Sequence, residues 1–407
     1  MAPTQEVNRA QAEHEGDGLR AGPLAGIRIL DLTRVVMGPL ATQTLADQGA
    51  DVVIVEPNTR DTNRVMGPGP HPDLSGIALN LLRNKRSISI DLKSTDGRAA
   101  LERLVPTCDV VVSTMRPQVL TELALDYASL SALKPDLVYC QAQGFSLTES
   151  RAEEPAYDDI IQAASGVADV MQRATGDPTL IPTILADKVC GLVIAQAITA
   201  GLLERERTGR GRHIEVPMHQ AMTAFMLTEH GAGGISEPPT AQTGLPPIGY
   251  PRILSPHRRP HPTSDGLVHM LPYLPKHYAA LFADAGVPDA DSDPRYADQR
   301  SAIANSDSLY QDIRAIAPSR TTQEWLDYSR SVGIPATAVA TLDELVAELP
   351  IVDHPVAGRY RLIPTMANFH GTALTVTHHA PLSGQDTDEV LGELPGASTT
   401  PTEEVDP

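Results

Sequence analysis

The chain of 407 residues reads as an α/β protein, with a large domain built on a doubly wound, mostly parallel sheet and a smaller α+β domain. Three observations predict this. Short runs dense in Val, Ile and Leu (RILDL, DVVIVE, SISIDL, DVVVS, LVYCQ) recur through the first third, and apolar runs of that length suit strands buried on both faces. Helical patterns stand between them, as parallel crossovers require. Near residue 231 the texture changes to GAGGISEPPTAQTGLPPIGYPRILSPHRRPHPTSDG, a Pro- and Gly-dense connection that separates a second set of elements.

In order, residues 28–32 form a strand, 40–48 a helix and 51–56 a second strand, which is one βαβ unit. A strand at 87–92, a helix at 97–104, a strand at 109–113, a helix near Leu130 and a strand at 137–141 continue the pattern. Ligands of such sheets sit at the carboxyl ends of the strands, here the loops 34–38, 58–66 and 114–117. A long helix then starts at Asp187, with Val189, Leu192, Val193, Ala197, Ile198 and Leu202 or Leu203 on an apolar face, and residues 208–211 end it. Asp is a favoured N-cap, and the helix dipole favours a negative charge there. On that reading Asp187→Ala removes about 1 kcal/mol with the cap.

Beyond the connection, LVHMLPY is a strand, residues 277–285 and 299–317 are helical, and TTQEWLDYSRSV opens with a capping box of Thr321 and Glu324. IPATAVATLDELVAEL is a strand followed by a helix, and GRYRLIP and TALTVTH are short β-like runs. The expected division is a loose tail at 1–20, a large Rossmann-like domain at 21–230, a linker at 231–262, a small domain at 263–346, a return to the large domain at 347–394 and a second tail at 395–407.

Composition narrows the chemistry. A formal charge of -19 argues against non-specific nucleic-acid binding while leaving room for a local basic pocket. No uninterrupted apolar run reaches the roughly 20 residues of a membrane span, so the chain reads as soluble. The three cysteines sit in apolar segments, as buried thiols of a reducing, cytoplasmic protein do. The first strand is followed by TRVVMGP rather than GxGxxG, and GxxxxGK[ST], HExxH and GxSxG are missing, which disfavours the nicotinamide, nucleotide-hydrolysing, zinc and serine-nucleophile classes that carry them. Carboxylates are left as the candidates. The cations of RNKRS at 83–87 are either a solvated rim or a holder of phosphates.

Four blocks then point further: PLAGIRILDLTRVVMGPLATQTLADQGADVVIVEP, LNLLRNKRSISIDLKSTDGRAALERL, CDVVVSTMRPQVLTELALDYASLSALKPDLVYC and GLLERERTGRGRHIEVPMHQA. In this order, with HPTSDGLVHM, GIPATAV, HPVAGRYRLIP and APLSGQDTDEVL after them, the chain resembles the class III CoA-transferases over roughly residues 22–394. That family includes formyl-CoA transferase, carnitine CoA-transferase and α-methylacyl-CoA racemase. The resemblance implies an interlocked homodimer, acyl-CoA and an organic acid as substrates, no metal, and Asp187 as the nucleophile. It implies that Tyr157, Asp158 and the position of Val36 lie near the acyl group. It also implies CoA contacts from Arg34, Val35, Met37, Arg64, Asn84, Lys85, Arg86, Thr114 and Arg116.

Two alternatives stay open, a racemase of 2-methylacyl-CoA and a catalytically silent CoA-binding protein. The racemase branch pairs its aspartate with a histidine where PAYDDIIQAASG has Tyr157, and a tyrosine of pKa about 10 is a poor base at neutral pH. The chain also departs from the family pattern. Val36 stands where formyl-CoA transferase has a glutamine, Thr114 replaces an asparagine, and Glu122 stands where an arginine often meets CoA phosphate. The glycine-rich loop that covers the formyl-CoA transferase site is not evident in TGLPPIGYPRI.

Overall fold

The structure, a computed structural model, describes residues 22–57, 61–240, 247–370 and 376–395. The chain divides into two compact units. One takes residues 1–161, 183–222 and 349–407, the other 162–182 and 223–348.

The first unit holds six parallel strands: β1 (Arg28–Leu32), β2 (Asp51–Glu56), β3 (Lys85–Ser89), β4 (Val110–Ser113), β5 (Val138–Gln143) and β6 (Arg212–Pro217). Their order is β3-β2-β1-β4-β5-β6, so the chain winds outward from β1 on one side and then from β4 on the other. The switch between β1 and β4 opens a crevice at the carboxyl edge. Because side chains alternate along a strand, Leu30, Leu32, Val53, Val55 and Ile88 share one face, where they join Leu101 and Leu104 of the helix Thr95–Leu104 in one core.

Three helices frame the crevice: α1 (Met37–Asp47), α2 (Asp158–Ala164) and the long α3 (Leu185–Thr208). α3 packs on α1, β5 and β6. Two glycines let it sit close. A Cβ on Gly191 would lie 2.8 Å from the Met37 carbonyl oxygen, and one on Gly201 would lie 2.8 Å from Ile214 and 3.0 Å from Val138. By length and composition α3 is apolar enough to cross a membrane. The apolar face read from the sequence is shifted in the structure: Leu192 and Leu203 are exposed, and the buried stripe runs through Cys190, Gly191, Ile194, Ala195, Ile198 and Leu202.

Several expectations shift. β3 begins two residues before the predicted start, because Lys85 and Arg86 are paired within the fold. RHIEVP, unread as a strand because its polar residues alternate without an apolar run, is the edge strand β6. α3 starts at Leu185 with Ile184 at its cap, so Asp187 is a residue of the first turn and not the N-cap.

The C-terminal return closes the β3 side of this unit. The Asn84 N–H donates to the His378 carbonyl at 2.8 Å, the Ser87 N–H to Asp386 at 2.6 Å and the Ser89 N–H to Thr387 at 3.0 Å. GRYRLIP supplies β11 (Gly358–Arg361), antiparallel to β10 (Ile351–His354). TALTVTH falls largely on residues 371–375, outside the described residues.

In the second unit β7 (His261–Pro262), β8 (Leu267–Met270) and β9 (Ala336–Ala338) form an antiparallel sheet. Its core gathers Val268, Met270, Leu281, Phe282, Leu309, Ile313 and Trp325. The predicted helix 299–317 is two helices, Gln299–Ala304 and Ser306–Ile316, separated at Asn305. The capping box is present: the Thr321 hydroxyl accepts the Glu324 N–H, and the Glu324 carboxylate accepts the Thr321 N–H at 2.8 Å.

Candidate active site

A cleft of about 800 Å³ lies at the carboxyl ends of the sheet strands. Arg34, Val35 and Met37 follow β1, Lys93 follows β3, Thr114 and Arg116 follow β4, and Gln143 ends β5 with Gly144 next to it. Tyr157, Asp187 and Met218 complete the wall with Pro155 and Ala156.

Asp187 is the carboxylate set into this wall. It is 9% exposed, in the first turn of α3, where the helix dipole favours a negative charge. The backbone N–H of Met37, the first residue of α1, faces it and favours its ionised form. The close approach at Gly191 brings that N–H within reach. Two helix N-termini therefore converge on one carboxyl group. Against them stand burial, which disfavours the charge, and the field of Asp158. Burial is the larger effect, and the net result pushes the Asp187 pKa up to about 6. Asp158 opens α2 and its Oδ1 accepts the Asp187 N–H at 3.0 Å. At neutral pH a group of pKa about 6 is ionised roughly ten to one, so a nucleophilic form exists without a separate base.

The turn that delivers Met37 is strained. Val35 sits at φ 67°, a region costly for a β-branched residue. Its N–H lies 3.4 Å from Asp61 Oδ1, and the Arg34 N–H donates to the Thr114 hydroxyl at 3.3 Å. Such strain at a ligand cleft points to a turn shaped for its occupant.

Of the residues singled out from the sequence, the structure brings Arg34, Val35, Met37, Thr114, Arg116, Tyr157 and Asp187 to the cleft wall. Asp158 stands behind Asp187 as its backbone partner. Val36 is corrected: it is buried with Leu40 and Leu81 beneath the wall. The phosphate-binding reading of Arg64, Asn84, Lys85 and Arg86 is also corrected, because each is buried and committed within the fold. Arg64 pairs with Glu56 and donates to the Pro381 carbonyl at 2.9 Å. Asn84 donates to Asp47 at 2.9 Å and accepts from Thr377 and His378. Lys85 pairs with Asp31, and Arg86 with Asp51 and Glu393. A cluster of cations in sequence carries no record of which carboxylates face it.

Sequence reasoning missed Lys93, Gln143 and Met218. Each lies at or just beyond the end of a strand, the position where such sheets bind ligands. The signal was obscured where β3 and β5 were given wrong ends and β6 was not recognised. Arg34, Lys93 and Arg116 form no ion pair among the described residues, and they share the cleft wall with the carboxylates Glu56, Asp91, Glu154 and Asp187.

A model of CoA-transferase family III matches residues 24–387. The chain belongs to CoA-transferase family III. As a member it is an enzyme that uses acyl-CoA as co-substrate. The succinate–glutarate CoA-transferase of Agrobacterium fabrum is 32% identical over 81% of this chain and 83% of its own length. The acetyl-CoA:oxalate CoA-transferase of Acetobacter aceti is 31% identical over 81% of this chain and 83% of its own. Among solved structures, Rv3272 from Mycobacterium tuberculosis superposes with a TM-score of 0.75 at 28% identity, covering 90% of this chain and 99% of that one.

Proposed function

We propose that this enzyme moves CoA from an acyl-CoA to a carboxylic acid by covalent catalysis on Asp187. The observation that carries the reading is an almost buried carboxylate, faced by the Met37 N–H, in the wall of a cleft large enough for an acyl-CoA. The Asp187 carboxylate attacks the thioester carbonyl, and the C–S bond breaks to give a mixed anhydride and CoA thiolate. The thiolate attacks the aspartyl carbonyl of that anhydride and expels the donor acid, leaving an Asp187–CoA thioester. An acceptor carboxylate attacks this thioester and releases thiolate, which then takes the acceptor acyl group and restores the free carboxylate. The overall reaction exchanges one thioester for another, each climb to an anhydride being followed by a descent to a thioester, so it is reversible. N–H groups at the α1 terminus would hold the oxyanion at each tetrahedral stage. Burial of Asp187 keeps water from two hydrolysable intermediates.

In this reading Arg34, Lys93 and Arg116 take CoA phosphates, Val35, Met37 and Thr114 line the arm, and Tyr157 and Asp158 border the acyl group. The protein would work in the cytoplasm as an interlocked homodimer. Leu342, Leu345 and Val346 on the helix Leu342–Glu348 are exposed, which supports a partner that covers them. The relatives named above suggest small dicarboxylic acids as substrates. Incubation with succinyl-CoA or acetyl-CoA and hydroxylamine tests the chemistry. Mass spectrometry should find a hydroxamate on Asp187. Transfer activity without any Asp187 adduct, across a panel of acyl-CoAs, would overturn the covalent route.

A further inference from the structure

The junction between β1 and α1 carries buried charges that the chemistry at Asp187 does not use. Asp31 in β1 and Lys85 at the start of β3 are both fully buried, with the ammonium 3.2 Å from Asp31 Oδ2. An ion pair at that depth loses so much hydration that it adds little stability by itself, so the groups it holds matter more. Among the described residues, the other side-chain bonds of the pair end on residues 33–42. Asp31 Oδ1 accepts the Thr33 N–H at 2.9 Å and the Thr33 hydroxyl, while Oδ2 accepts the Thr42 hydroxyl. Lys85 Nζ donates to the Pro39 carbonyl at 3.0 Å and to Thr42 Oγ1 at 2.7 Å. Pro39 lies in the first turn of α1. The Thr33 side chain occupies the space a Cβ on Gly38 would need, 2.2 Å away. Between these anchors the chain passes through the strained Val35 and ends on Met37.

We propose that Asp31 and Lys85 are positioning residues, which clamp the start of α1 and so hold the Met37 N–H against the Asp187 carboxyl. The inference concerns where that N–H points and does not depend on whether Asp187 becomes acylated. Asp158 from α2 and the Cys190 thiol in α3 are the other titratable groups that sense Asp187, while α1 presents only its backbone. On the far side, Lys85 feels Glu56 and Asp47 in addition to Asp31.

The test is a titration of the Asp187 carboxyl, followed by carbon NMR on protein with labelled aspartate and assigned by its loss in Asp187→Asn. The double variant Asp31→Asn/Lys85→Met removes both charges together and leaves neither unpaired. With the N–H released, a contact that favours the ionised form is lost, and the Asp187 midpoint should rise by about 0.5 pH unit or more. kcat should fall while KM for acyl-CoA changes less than about twofold, as expected when a transition-state contact is lost rather than binding. Thr42→Val keeps the ion pair but cuts one of its links to α1, and should move the midpoint the same way by less; it serves if the double variant does not fold. A midpoint within about 0.2 pH unit of the wild type in a folded variant would overturn the proposal and leave the pair a plain structural contact. Failure of hydroxamate formation in the wild type would sink the covalent route while this titration still read out.

Discussion

An asparagine at position 187 separates the chemical role of the carboxylate from its effect on the fold. The nucleophile is lost, so Asp187→Asn should abolish transfer and hydroxamate formation. Its stability should move the other way. The native pKa of about 6 lies above the ordinary 3.8, so the folded state holds the proton more tightly than the unfolded chain. That advantage is present below about pH 4 and is lost as pH rises through about 6. At pH 7 the ionised carboxylate therefore opposes folding, by at most about 3 kcal/mol. Urea denaturation at pH 7 should find Asp187→Asn more stable than the wild type, and the gap should narrow by pH 4. This reverses the expectation drawn from a capping role, because Ile184 and not Asp187 stands at the cap. For the same reason kcat/KM should fall on acidification with a midpoint near 6, as the nucleophile is protonated. These signs rest on surroundings that a sequence does not display, namely the depth of the site and a second carboxylate 29 residues away in the chain.

Among the elements, the contact of α3 with α1 has the greatest influence on the site. Gly191→Ala would place a methyl group 2.8 Å from the Met37 carbonyl and 3.2 Å from Leu40, and neither backbone can yield without separating the helices. Overpacking of this kind costs about 1–3 kcal/mol. Because Asp187 lies one turn away on the same helix, Gly191→Ala should also lower kcat, and by more than Gly201→Ala, whose obstacles are the side chains of Ile214 and Val138. Thermal melts and steady-state rates on both variants check this. The sheet was largely legible, since RILDL and DVVIVE are buried on both sides and spell their strands out. RHIEVP was not, because an edge strand with half-exposed residues needs no apolar run. The block RNKRS was misread for a related reason. Its cations face Asp47, Asp31 and Asp51 from distant stretches, and only the fold reveals that they are already paired.

At the scale of the molecule, the three cysteines are free and buried. Burial pushes the thiols of Cys108, Cys140 and Cys190 up to about 12, so almost no thiolate is present at pH 8. Iodoacetamide should leave the native enzyme unlabelled over hours and modify all three thiols in urea. Cys190 is the sensitive reporter, since it lies one turn from Asp187 and opening of the site would expose it first. The first unit is assembled from three separate stretches of chain, and its β3 side is completed only by residues 376–395. During synthesis that closing segment leaves the ribosome only after the whole second unit. A nascent chain must therefore wait with an open sheet edge while the second unit is made, which gives chaperones a reason to attend it and makes a chain cut short before residue 376 unable to close its sheet.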